Sequence, residues 1–452
     1  MKEFTAILEK IDEIVWGLPL IILIMAVGFF LTFRLRGIQL GHLIKALKYM
    51  VKNEEGGEGE VTSFGALCTA LSATIGTGNI VGVATAVHMG GPGALFWMFV
   101  AAFFGMATKY SECLLAIKYR EVDEKGKYRG GPMYYIKNGM HNKPLAALFA
   151  LLTVGAGCFG IGTYCQVNSM VEANSIMFGM SPLASCAIIS VLVGMVTLGG
   201  LKSISKVSTK LIPLMAVFYI VGCLFVIAVN IQGLPAAIVT IVSSAFSFDA
   251  GLGGATGIGI LVAMRFGVAR GMFSNEAGLG SAPIAAASAK TEYAAEQGLV
   301  NMTGTFFDTI VICMLTGLTI VLTNTWSGDL NGAAITSEAF RLTLGDSWGI
   351  YLLNIGLLLF AFTTIIGWNY YAESCVVYLF GTKCILAYRF IYVLIVASAA
   401  FMTLDLVWVL ADILNGLMAL PNLLALFILR KDIVEETVKY FTYLKSLKGK
   451  VA

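Results

Sequence analysis

A chain of 452 residues that is 58% hydrophobic and only 13% charged falls well below the roughly 25% charged residues of an ordinary soluble domain. Its mean hydropathy is +0.83. Together these values exclude a cytosolic enzyme, a nucleic-acid binder and a disordered chain, and the net charge of +3 points to no partner. Alternating ten-residue β segments are missing, which speaks against an outer-membrane barrel. What remains is an all-α polytopic membrane protein.

Runs of about 20 mostly apolar residues mark membrane crossings. Taken in chain order, eleven are expected: 15–33, 63–88, 93–117, 145–178, 181–199, 207–229, 256–286, 299–322, 348–380, 386–404 and 406–429. The longest are expected to tilt or break. The acidic lead-in from Glu9 to Glu13 is not the basic start of a signal peptide, so the first run reads as a retained helix. Nine cysteines without a CxxC pair and three scattered histidines suggest neither a zinc site nor a disulfide scaffold.

Lysine and arginine crowd the loops 34–62, 118–144, 200–206, 287–298 and 381–385 and the tail after 429, for example Arg34, Lys118, Arg120 and Lys431. The opposite side carries only Lys2, Lys10 and Arg341. The positive-inside rule then puts the N-terminus outside and the C-terminus in the cytoplasm of a plasma-membrane protein. Residues 431–450 read as a short charged amphipathic stretch on the cytoplasmic surface.

With the first helix set aside, ten spans remain. Five (63–229) start inside and five (256–429) start outside, so the halves are inverted. Inverted five-helix repeats are a recurring transporter plan with the substrate at the repeat interface. The expected divisions are 1–62, the extra N-terminal helix and a cytoplasmic linker; 63–229, the first repeat; 230–255, an extracellular loop; 256–429, the second repeat; and 430–452, a cytoplasmic tail.

The best pointer to a midplane site is a glycine-interrupted span at matching positions of the two halves. The first half offers Ser72-Ala-Thr-Ile-Gly76-Thr77-Gly78-Asn79, and the second Ala269-Arg270-Gly271-Met-Phe273-Ser274-Asn275-Glu276-Ala-Gly278-Leu-Gly280. Small-residue helix packing is the competing explanation, but it has no need of Asn79, Asn275 and Glu276. Gly76-Thr-Gly78 sits inside a span with no strand before it, so it is not a dinucleotide loop.

These residues carry a resemblance. Gly90-Gly91-Pro92-Gly93-Ala94-Leu95-Phe96-Trp97-Met98 with Gly105, the Gly76–Asn79 break and the run from Phe273 to Pro283 resemble the signatures of the alanine or glycine:cation symporters (sodium:alanine symporters). Ala94 stands where a larger aliphatic residue is usual, and Phe99 where a tryptophan is usual; neither touches the expected site. The resemblance implies a branch of the leucine-transporter-like fold, in agreement with the 5+5 reading, and sodium-driven uptake of alanine and glycine. Composition and topology alone reach only a transporter.

In the eighth core span Phe360, Thr363 and Thr364 fall at i, i+3 and i+4 on one helix face. Two hydroxyls and a carbonyl form a hard oxygen surface that suits sodium. The resemblance adds backbone carbonyls at Ser72 and Ile75. The competing reading is that each threonine only satisfies its own helix. For the amino acid, Thr77, Gly78 and Asn79 offer donors to its carboxylate, with Gln166 a further donor four residues from Gly162. Freed carbonyls near Phe273, Ser274 and Asn275, and the Thr364 hydroxyl, offer acceptors to its ammonium. Gly162 would leave room or set the pocket's depth, and Phe273 and Trp368 would supply the apolar wall and gate.

Charges inside a membrane are functional hypotheses by default. Asp308 is open to three roles: ligand of a second cation, proton carrier, or partner of Arg265 or Arg270. Glu276 is expected to cap the following half-helix or pair with an arginine. Glu112, Glu172, Asp405 and Asp412 are read as structural. The expected partners are a small neutral amino acid, sodium and the lipid bilayer, with no nucleic acid and no obligatory protein partner. No HExxH, GxSxG or nucleotide loop suggests an enzyme or a primary pump. A proton-coupled symporter and an ion-independent facilitator are the alternatives.

Overall fold

The apolar runs become helices whose ends are set by ordinary capping chemistry and whose interruptions fall at glycine. The computed structural model describes residues 2–51, 57–247, 259–402 and 404–451. In chain order it contains α1 (Lys2–Val15), α2 (Leu18–Arg34), α3 (Ile38–Val51), α4 (Ser63–Thr74), α5 (Val81–Gly90) and α6 (Gly93–Lys118). A two-stranded hairpin follows, β1 (Glu121–Val122) with β2 (Tyr128–Arg129), and then α7 (Pro132–Gly139), α8 (Lys143–Phe159), α9 (Tyr164–Phe178), α10 (Pro182–Thr197), α11 (Gly200–Val229) and α12 (Leu234–Ala245). The remainder comprises α13 (Gly259–Asn275), α14 (Ala282–Ala286), α15 (Ala294–Thr305), α16 (Met314–Thr323), α17 (Ala333–Leu344), α18 (Asp346–Phe380), α19 (Ile385–Ser398), α20 (Leu404–Ile428) and α21 (Arg430–Val451).

Each expected span has a helical counterpart in this order. Among the described residues, eight helices are long and apolar enough to cross a membrane, or nine when the bent pair α4–α5 counts as one span. α10 and α12 are apolar but shorter. The start of the seventh expected span, 256–258, and part of the 230–255 loop lie outside the described residues. Among the expected bends, the run 145–178 is interrupted between α8 and α9 at Gly160–Thr163. α18 stays continuous over 35 residues, about 52 Å at 1.5 Å per residue, well beyond a hydrocarbon core of about 30 Å.

Side-chain oxygens start several helices. Thr62 accepts from Gly65 N at α4, Asn142 from Leu145 N at α8, and Ser181 from Ala184 N at α10; each satisfies a backbone donor the helix cannot reach. α6 and α13 form the centre, α6 packing against α13 and α15, and α13 also against α5; α18 packs on α8, α9 and α4. The outward faces of α10 and α11 expose Leu183, Ile188, Val191, Leu214, Val217 and Val221, an apolar surface that suits acyl chains. α21 packs on α6 and α15, with Asp432 paired to Lys118 at 2.8 Å and Phe441 stacked on His42. This tail is therefore docked to the bundle as well as amphipathic.

Candidate functional site

The first interrupted span bends by 61° between α4 and α5, and the bend is held by side-chain amides. Asn79 Oδ1 accepts from Gly76 N at 2.8 Å, and Gln166 Oε1 accepts from Thr77 N at 3.2 Å. Glycine is required here by space. A Cβ on Gly76 would stand 2.3 Å from Thr364 Oγ1, and one on Gly78 would stand 3.1 Å from Ser274 Cα. The break thus touches α18 on one side and α13 on the other. At its centre the Thr77 hydroxyl is fully buried and has no hydrogen-bond partner. A buried polar atom without a partner costs free energy, so this hydroxyl invites a ligand.

Across the break, Thr364 Oγ1 donates to Phe360 O at 3.0 Å and stands 3.3 Å from Ile75 O. Thr363 Oγ1 lies 3.0 Å from Phe360 O and 3.1 Å from Leu359 O, beside Met215 Sδ. Both threonines back-bond to their own helix; Thr364 also reaches Ile75 O at the end of α4, and Thr363 reaches Met215 Sδ on α11. Ser72 sends its hydroxyl to Thr69 O at 2.7 Å. Ser72 also lies against Gly367, one turn beyond Thr364. Ile75, Phe360 and Thr364 therefore converge as oxygens, with Ser72 and Thr363 at the margins.

Asp308 is fully buried and gathers the two halves. Asn79 Nδ2 donates to its Oδ1 at 2.8 Å, and Ser274 Oγ and Thr309 Oγ1 donate to its Oδ2 at 2.8 and 2.7 Å. It lies in a π-helical stretch, Phe306–Cys313. Such widened turns occur mainly at functional sites. Asp308 makes no ion pair among the described residues. The expected Arg270 partnership is not formed, because Arg270 is bound elsewhere.

The second break is built differently. Glu276 adopts a left-handed φ of 55°, and Gly278 and Gly280 have φ of 97° and 81°. The carboxylate of Glu276 accepts from Trp368 Nε1 at 2.8 Å and from Ser281 Oγ at 2.5 Å. It pairs with no arginine, and it steadies the start of α14 through Ser281. Asn275 donates to Thr309 Oγ1 and accepts from Ala277 N. Glu112 accepts from Gly278 N and Asn422 Nδ2.

Two expectations change with this geometry. Gln166 was expected to donate to a substrate carboxylate, but its NH2 donates to Ile161 O at 3.0 Å and its oxygen accepts from Thr77 N. It braces the break. Gly162 was expected to leave room or set the pocket's depth; a Cβ there would lie 2.6 Å from Trp368 Cβ and 2.7 Å from Gly157 O. It lets α9 approach α18 and seat Trp368. Trp368 is buried in that wall, and Phe273 lies beside the first break, its ring 3.2 Å from where a Cβ on Gly78 would stand, and stacks on Trp408 at 5.3 Å. Of the remaining acids, Asp412 pairs with Arg270, Glu172 is exposed, and the Asp405 side chain lies outside those described.

Three features escaped the sequence reading. One is Trp408 with the Arg270–Asp412 pair. Another is Cys313, whose Sγ lies near Asn79 and Ser274. The third is Lys109, 2% exposed with an unpartnered Nζ and within electrostatic reach of Glu112, Glu276 and Asp308. A lysine inside the sixth helix, Gly93–Lys118, is the signal that would have found the last.

The family model described as "Sodium:alanine symporter family" matches residues 1–452. The chain belongs to the sodium:alanine symporter family. It is 46% identical over 459 residues, covering the full length of both chains, to a protein of Methanococcus maripaludis named sodium/alanine symporter AgcS. It is 53% identical to an uncharacterized transporter of Haemophilus influenzae, with 97% of each chain covered. A probable sodium/glutamine symporter of Bacillus subtilis, GlnT, is 38% identical over 95% of this chain and 89% of its own. Among solved structures, MhsT in complex with L-phenylalanine matches with a TM-score of 0.58 at 13% identity, covering 80% of this chain and 89% of that one. The fold is therefore leucine-transporter-like, and this member of the family is a membrane-embedded transporter of the sodium-coupled symporter class rather than an enzyme.

Proposed function

We propose that the chain imports a small neutral amino acid, alanine above all, by alternating access around the two helix breaks, with sodium as the coupled ion. The carboxylate is held by the Thr77 hydroxyl and the backbone around Gly78 and Asn79. The ammonium lies toward Phe273, Ser274 and Asn275 and the Thr364 hydroxyl. Trp368, seated by Gly162, closes the wall around the side chain, and Gln166 holds the break in shape.

One sodium is assigned to the oxygens of Ile75, Phe360 and Thr364, completed by Ser72 O and Thr363 Oγ1. A second is assigned beside Asp308, where the hydroxyls of Ser274 and Thr309 supply oxygens and the carboxylate supplies charge. Substrate and both ions then share residues of the same break, so the presence of one organises the ligands of the others. That is the physical basis of coupling. The halves are assigned as 63–229 and 256–429, with the N-terminus outside and the Phe273–Trp408 stack toward the outer side.

The observation that carries this reading is the unpartnered, fully buried Thr77 hydroxyl between α18 and α13. Its test is alanine binding to purified Thr77→Val in saturating sodium. The expected result is affinity lowered about tenfold, the worth of one hydrogen bond to a charged group. Binding equal to the unsubstituted protein would remove Thr77 from the site.

A further inference from the structure

The salt bridge above the Phe273–Trp408 stack has a feature that ion pairing alone does not explain. Arg270 on α13 donates through Nη1 and Nη2 to the two oxygens of Asp412 on α20, both at 2.8 Å. The side chains are only 14% and 10% exposed. The guanidinium also lies 5.7 Å from the ring centres of Phe273 and Trp408. Ion pair and aromatic pair therefore form one closed unit across α13 and α20. Opening a path beside Phe273 separates α13 from α20 and breaks it. Pulling a buried guanidinium from its paired carboxylate without another partner is strongly unfavourable, because it leaves both charges uncompensated.

The N-terminal helix supplies what such a separation needs. α1 packs on α20. Trp16, 3% exposed, donates from Nε1 to Asp412 O at 2.9 Å. A Cβ on Gly416 would stand 2.3 Å from Val15 Cγ1, so this seat needs glycine. One turn before Trp16, on the same face, is Asp12. Its Oδ1 is buried without a hydrogen-bond partner, and so is Arg270 Nε. Asp12 lies within electrostatic reach of Arg270, Arg265 and Asp412, but the ion pairs among the described residues do not include it. The structure thus holds a buried guanidinium whose two Nη groups are taken by one carboxylate, and a second carboxylate near it with an idle oxygen.

We propose that Asp12 is the alternative acceptor of Arg270. When the Phe273–Trp408 stack parts, the guanidinium passes from Asp412 to Asp12, so the gate opens by exchanging one ion pair for another. Trp16 holds α1 against α20, which keeps Asp12 in range throughout. No covalent bond is formed or broken and no proton is transferred; one set of hydrogen bonds replaces another. The extra N-terminal helix is then a working part of the gate, and Asp12 is a positioning residue that acts through Arg270. This rests on the reading of the stack as the outer gate.

The test compares Asp12→Asn, Asp12→Glu and Asp412→Asn in reconstituted full-length protein. The readouts are alanine uptake kinetics at saturating sodium and the thermal midpoint with alanine and sodium bound. Asp12→Asn is expected to cut maximal uptake about tenfold, a cost of about 1.4 kcal/mol in the opening step, with alanine KM and thermal midpoint close to those of the unsubstituted protein. Asp12→Glu, which keeps the carboxylate, is expected to recover most of the rate. A merely structural Asp12 would lower the midpoint and leave the rate per folded molecule alone. That result, an unchanged rate in Asp12→Asn, or no recovery in Asp12→Glu, would overturn the proposal. Asp412→Asn separates the levels. Impaired uptake there with normal uptake in Asp12→Asn removes only the exchange, whereas normal uptake in Asp412→Asn removes the gate itself.

Discussion

The two helix breaks look alike as sequence, each a glycine-rich interruption with an asparagine, yet the structure satisfies them in opposite ways. The break at Gly76–Asn79 is pinned at its edges by the amides of Asn79 and Gln166, and it leaves a buried hydroxyl, Thr77, without a partner. The break after Asn275 is closed on itself. Glu276, Gly278 and Gly280 adopt left-handed φ; Trp368 and Ser281 donate to the Glu276 carboxylate, and Glu112 and Asn422 take up the backbone N–H and C=O of Gly278. The first break is prepared for a ligand. The second is a support closed by its own hydrogen bonds, and the ligand contacts proposed for this half, Phe273 and Ser274, stand just before it. An inverted repeat can therefore place two equivalent interruptions at the midplane and assign them unequal work.

Substitutions can sharpen this contrast. The largest effect is expected at Asp308, which joins the first break to Ser274. Asp308→Asn removes a fully buried carboxylate that collects three donors, and sodium-driven uptake should fall about 100-fold, consistent with hydrogen bonds to a charged group; sodium-dependent uptake in vesicles measures it. Glu276→Gln tests the support instead. Replacing a buried acceptor that serves two donors should cost about 2 kcal/mol of stability, read as a lower thermal midpoint, while the sodium concentration for half-maximal uptake in the surviving protein stays unchanged. Thr364→Ala, on the ligand side, should do the reverse: half-saturating sodium rises about tenfold, or about 1.4 kcal/mol, with stability nearly retained. Gly162→Ala should lower uptake of glycine and alanine alike by displacing Trp368, whereas a selective loss of the bulkier substrate would show that Gly162 faces the pocket after all. Smallest of all, Ser72→Ala should change half-saturating sodium less than about twofold, a few tenths of a kcal/mol, because only its carbonyl is assigned to the ion.

Much of this was legible before any coordinates. Hydropathy located the spans because a bilayer forces backbone groups to pair within each helix. Glycine beside polar residues located the breaks because such runs have little other reason to sit in hydrocarbon. The Phe360–Thr364 face followed from helical spacing. What escaped depends on through-space partners. Gln166 could be placed on a face, but its amide is committed to Ile161 O and Thr77 N. Gly162 could be seen as small, but not that Trp368 fills the space. Asp412 and Arg270 lie 142 residues apart, and no local pattern joins them. The π turn around Asp308 has no sequence signal in this chain.

The central claim is that uptake is driven by sodium bound beside the first break. It is tested most directly by alanine accumulation in proteoliposomes under an inward sodium gradient, compared with a matched potassium gradient and with sodium plus a sodium ionophore. Accumulation above equilibrium only with the intact sodium gradient is the predicted result. Equilibration that ignores the ion would contradict symport and return Thr363 and Thr364 to helix packing.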